Sequence, residues 1–68
     1  MDEKTRELIG IAASIAGHCK PCFLYHFKQA KTLHISPKDL EETIEFVKNI
    51  GEAGDKGMHE WVKRQMRK

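Results

Sequence analysis

The chain has no Asn-Gly or Asp-Gly pair, and no stretch of it alternates apolar and polar residues. With neither hairpin turns nor strand patterning, a β architecture is excluded and helices remain. A large charge of one sign is also missing: the net charge is +2, with both signs interleaved. That is no footprint for nucleic acid, and the basic tail "WVKRQMRK" suits a last helical turn, where cations meet the helix dipole. The longest mostly apolar run, Leu8 to Gly17, is far short of the roughly 20 residues a membrane span needs. The N-terminus "MDEKTREL" carries both signs and no cleavage pattern, so the expected setting is cytoplasmic, with no membrane partner. There are only two cysteines, Cys19 and Cys22, too close together to staple distant segments. Where thiols are kept reduced, such a pair suggests redox chemistry or metal binding instead. Repeats, low-complexity tracts and linkers are absent, so residues 1–68 read as a single domain. A chain of this size buries only about 60% of the surface it exposes when unfolded. A structural metal or self-association is the expected supplement.

What is present is helical periodicity. The first helix is predicted from Asp2 to Ala16, with Leu8, Ile9, Ala12, Ala13, Ile15 and Ala16 at helical spacing and Gly17 ending it, as glycine does at the position after a helix. The second runs from Lys20 to Leu33. Pro21 sits in its first turn, Phe23, Phe27 and Ala30 form one stripe, and Cys22, His26 and Leu33 lie beside it. The third opens at "HISPKDL", with Ser36 as N-cap, Pro37 as first residue, Asp39 completing a capping-box-like pair, and Ile35 and Leu40 placed as a hydrophobic staple. His34 stands where a glycine is expected, and histidine tolerates the left-handed conformation better than most residues. Glycines at 51, 54 and 57 suggest a break. The phase opposes it: Leu40, Ile44, Val47, Gly51, Gly54, Met58, Trp61 and Gln65 recur at spacings of four and three. One helix from residue 37 to about 66 is expected, with a loop and short fourth helix as the alternative. The glycine row reads equally as a packing face or as a flexible stretch.

The chemistry concentrates in "AGHCKPCFLYHF". Cys19 and Cys22 lie three apart at the mouth of the second helix, so their sulfurs share a face. A helix N-terminus stabilises a thiolate, and Lys20 adds positive charge. His26 follows Cys22 by one turn, in reach of a proton relay directly or through one water. Positions 7 and 26 are symmetric about the Ala16–Gly17 boundary, so an antiparallel hairpin sets Glu7 level with His26. A helix terminus by itself favours Cys19 as nucleophile, as the more exposed sulfur. The rival readings are inert buried thiols and a zinc site using Cys19, Cys22, His26 and His18, although adjacent His18 and Cys19 bend awkwardly onto one ion. Glu7 alone would read as a solvated helix acid. His18, His34 and His59 read as structural or surface residues, and Tyr25, Met58 and Trp61 as packing.

The spacing Glu7-x11-Cys19-x2-Cys22-x3-His26, within "RELIGIAASIAGHCKPCFLYHFKQAKTLHISPKDLEETI", resembles the active-site signature of the alkylhydroperoxidase D-like (carboxymuconolactone decarboxylase-like) superfamily over about residues 6 to 45. The resemblance implies an all-α subunit, an antiparallel helix hairpin followed by one long helix, assembled as a homo-oligomer. It implies a thiol–disulfide oxidoreductase or peroxidase of antioxidant type with a redox-active disulfide and no cofactor or metal. Its substrate would be a hydroperoxide or disulfide, and a reducing protein or small dithiol would restore it. Cys22 would be the thiol oxidised to a sulfenic acid, Cys19 the proton donor and resolving thiol, and His26 and Glu7 the relay. Lys20 and Pro21 stand between the cysteines where some members carry a histidine, and His34 replaces the family's usual glycine. The decarboxylase in the superfamily's title lacks the Cys pair, so carboxymuconolactone decarboxylase activity is not expected. The alternative is a non-catalytic zinc-binding or helical interaction module using the same residues.

Overall fold

Asp2 opens the first helix: its Oδ1 accepts the Thr5 N–H at 2.8 Å, satisfying a donor that a helix start leaves orphaned. A computed structural model describes residues 1–67, and among them there are three helices and no strand. They are α1 (Glu3–Ala16), α2 (Lys20–Thr32) and α3 (Pro37–Met66).

α1 and α2 end in the same way. After α1, the His18 N–H reaches Ile15 O at 3.1 Å and the Cys19 N–H reaches Ser14 O at 2.9 Å. After α2, the His34 N–H reaches Lys31 O at 3.0 Å and the Ile35 N–H reaches Ala30 O at 3.1 Å. These paired bonds are Schellman motifs, which need one residue in the left-handed region. Gly17 ends α1 as expected, but it is not the left-handed residue (φ −88°); His18 is, at φ 54°, matching His34 at φ 59°. Gly17 is the cap itself, and its N–H bonds Ala13 O at 2.8 Å, so the reversal falls one position later.

α3 starts as expected. Ser36 Oγ accepts the Asp39 N–H at 3.1 Å, Pro37 is the first helical residue, and Ile35 and Leu40 are both buried. The helix is continuous through all three glycines to Met66.

The core is small: Ile11, Ala30, Ile35 and Leu40 are buried, and Leu8, Ile15, Phe23, Phe27, Leu33 and Ile44 pack around them. Burying Ile11 completely stabilises by roughly 1.5–3 kcal/mol. α1 packs against both other helices, antiparallel to α2. It runs in the same direction as α3, since Leu8 lies by Asp39 and Phe46 while Ala16 lies by Gly51 and Asp55. The molecule measures 52 × 22 × 20 Å because α3 runs on past the end of α1. Met58, Trp61 and Tyr25, expected as packing, are exposed (58%, 49% and 60%). No helix among the described residues is long and apolar enough to cross a membrane.

Candidate active site

Cys19 is held by both helices that meet at it. Its N–H closes the end of α1 on Ser14 O, and its carbonyl accepts the Phe23 N–H at 3.0 Å. Its Sγ is the side-chain cap of α2, accepting the Cys22 N–H at 3.3 Å. Three bonds fix this residue where one sulfur meets the unpaired amides of a helix start. Cys19 and Cys22 are joined as a disulfide, with Cα atoms 5.3 Å apart, inside the range a bridge requires.

The expected order of exposure is reversed. Cys22 is exposed and Cys19 only half so, because Cys19 is enclosed by the α1 terminus to which it is bonded. Of the two residues, Cys22 is the more open to a solvent-borne reactant.

One turn further along α2, His26 Nδ1 lies 2.7 Å from Glu7 Oε2. A carboxylate can only accept, so Nδ1 carries the hydrogen and a neutral ring leaves Nε2 as its basic nitrogen. The Glu7 side chain is only 12% exposed, so it is a partnered group and not a solvated acid. Tyr25 meets the imidazole edge-on, with centroids 5.1 Å apart. Among the described residues no hydrogen bond joins His26 to either sulfur; a disulfide has no thiol proton to share.

Two residues on α1 complete the site without having been singled out in the sequence. A Cβ on Gly10 would stand 2.5–2.7 Å from three atoms of the His26 ring, so only glycine leaves that ring its place beside Glu7. Ser14 is buried, and its Oγ donates to Gly10 O at 2.6 Å. Glu7, Gly10 and Ser14 recur every three or four residues, forming one narrow face of α1 towards α2. A lone glycine inside an alanine-rich helix was the available signal.

Cys19 also borders a cleft of about 460 Å³. Ile15, Phe23 and Leu24 make its walls apolar, and His18 and Lys20 stand at its edge. The zinc alternative meets a different geometry: the sulfurs are bonded to each other and His26 Nδ1 is engaged by Glu7. Among the described residues no three Cys, His, Asp or Glu side chains converge on one point.

The sequence profile of the carboxymuconolactone decarboxylase family matches residues 1–50, which include Glu7, Gly10, Cys19, Cys22 and His26. No curated protein matches the chain, and no solved structure does.

Proposed function

From the premise that this chain belongs to the carboxymuconolactone decarboxylase family, we propose that it is a thiol–disulfide oxidoreductase or peroxidase working through Cys19 and Cys22. The observation that carries this reading is the Glu7–His26 hydrogen bond at 2.7 Å, one helical turn from the disulfide. A half-buried carboxylate that fixes an imidazole tautomer beside a dithiol is the apparatus of a proton relay.

In the reduced protein, His26 Nε2 takes the Cys22 proton, directly or through one water. The exposed Cys22 thiolate attacks the terminal oxygen of a hydroperoxide, the O–O bond breaks, and Cys22 becomes a sulfenic acid. The departing alkoxide collects a proton from the His26 imidazolium or from the Cys19 thiol. Cys19, held against the helix start by the Cys22 N–H, then attacks the Cys22 sulfur and expels water, forming the disulfide. A reducing protein or small dithiol restores both thiols by exchange. With a disulfide substrate, the same two sulfurs run the exchange without the sulfenic step. The working unit is a homo-oligomer.

Incubating reduced protein with a hydroperoxide tests this. The expected product is two hydrogens lighter, with Cys19 bonded to Cys22. The Cys19→Ser protein should give a dimedone adduct at Cys22. A wild-type mass unchanged by peroxide defeats the peroxidase reading, and an adduct-free Cys19→Ser protein defeats the assignment of Cys22.

A further inference from the structure

The second half of α3 is a helix that its own chain does not explain. Among the described residues, the helix's own backbone aside, nothing lies within 4 Å of a Cβ built on Gly51, Gly54 or Gly57, and each glycine costs a helix up to about 1 kcal/mol relative to alanine. Met58, Trp61 and Val62 are exposed. This half of α3 also lies beyond the residues matched by the family profile. Beside it runs a groove of about 680 Å³, walled by Ile9, Ala12 and Ala13 of α1 and by Val47, Gly51 and Gly54 of α3.

We propose that this groove is filled by α3 of a second copy of the chain, crossing antiparallel so that Gly51 of each protomer faces Gly54 of its partner. Three features of the sequence match this register. Beyond Leu40 and Ile44, which pack in the chain's own core, the seam Val47, Gly51, Gly54, Met58, Trp61 and Gln65 keeps the alternating spacing of a two-helix interface. Reversed on itself about the glycines, it sets Val47 against the partner's Met58, so a large residue meets a smaller one. The flanking charges are self-complementary: Lys48 falls beside the partner's Asp55, and by two-fold symmetry Asp55 falls beside the partner's Lys48. A parallel pairing would stack Trp61 on its own copy and offer Lys48 and Asp55 no opposite charge. At the crossing the glycines let the two backbones approach, and the partner's Trp61 lies over Ile9, which is half exposed in the single chain. His18 borders both this groove and the disulfide cleft. The assembly therefore closes one side of His18 and leaves the Phe23–Leu24 side as the approach to the sulfurs.

The test uses the wild-type chain and two exposed residues outside the redox site. Light scattering at tens of micromolar should give a dimer or an even-numbered assembly of dimers; a monomer or a trimer overturns the proposal. A zero-length carbodiimide should join Lys48 to Asp55 between chains, read by mass spectrometry on a mixture of 15N-labelled and unlabelled protein. Within one helix these residues are about 10 Å apart along the axis, too far for that reagent, so a link found only within single chains, or none, overturns it. Lys48→Asp and Asp55→Lys should each raise the dimer dissociation constant about tenfold, with helicity by circular dichroism unchanged. The double reversal should return it to near the wild-type value. Failure of either single variant to weaken the dimer, or of the double variant to restore it, rejects the antiparallel register.

Discussion

The two turns of this molecule use one backbone device for different ends. Each follows a helix with a paired set of carbonyl bonds, and each places a histidine in the left-handed region. At the second turn the next residue is Ile35, which is buried and packs with Ala30 in the core. At the first turn the corresponding residue is Cys19, whose side chain becomes the cap of the following helix. Hydrophobic burial locks one reversal. The other is locked by backbone bonds and a sulfur, and that sulfur is left open to chemistry. The difference teaches that one side chain, at equal backbone geometry, decides whether a turn serves the core or the site.

Exchanging what each turn contributes should give opposite results. Cys19→Ser removes the resolving thiol but supplies a good helix cap. Catalytic turnover with peroxide should be lost altogether, while the urea midpoint should stay near that of the reduced wild type. Ile35→Ala should do the reverse, lowering unfolding free energy by about 2–4 kcal/mol while the surviving folded protein still forms its disulfide. If Ile35→Ala leaves the urea midpoint in place, the second turn is not locked by burial.

The first turn is also served from across the hairpin. Gly10→Ala would normally favour a helix, but here the new methyl displaces the His26 ring. Glu7→Gln leaves the ring in place and removes its charged partner. In a Cys19→Ser background, both should slow Cys22 alkylation at neutral pH by about tenfold, less than the roughly 10²–10⁴-fold of direct acid–base assistance because each acts through His26. An alkylation rate unmoved by either substitution would confine the relay to His26 itself.

Smaller effects should be equal at the two turns. A non-glycine residue in the left-handed region costs about 1–2 kcal/mol, partly offset by the extra backbone freedom a glycine loses on folding. His18→Gly and His34→Gly should therefore each stabilise by about 0.5–1 kcal/mol in thermal unfolding. A gain at one turn alone would mean that the shared geometry does not store equal strain.

The least effect is expected at the start of α1, outside both turns. The Thr5 N–H, bonded to the Asp2 carboxylate, holds that carboxyl below its ordinary value. Its contribution is present above the unfolded carboxyl range and is lost as pH falls through the lowered folded value. Asp2→Asn keeps the cap and should remove this acid sensitivity of the α1 start. The measurement is amide exchange of the first turn from neutral to acid pH, and a variant that keeps the sensitivity would assign it elsewhere.

Much of this was legible in the chain itself. Capping residues are local, so the starts at Ser36 and Cys19 and the limits of α2 and α3 follow from neighbours in sequence. The Glu7–His26 pair was reachable too, since a tight hairpin makes distance along one helix predict position along the other. The left-handed residue of the first turn, His18, was not legible. Gly17 marks the end of α1, but glycine is permissive at several sites of a turn, and only the bonded motif shows that the reversal falls on the next residue.

Three helices, the unbroken phase of α3, the dithiol at a helix mouth, and the acid and imidazole that face each other behind it can all be read from the order of residues alone. Those features depend on contacts within a few residues or across one short turn. Packing in three dimensions was needed to make Cys22 the exposed residue and Cys19 the enclosed one, to make Gly10 the space His26 occupies, and to leave Gly51, Gly54 and Gly57 uncovered among the described residues. Each of these depends on the volume left between packed helices, and that volume is set by all three at once.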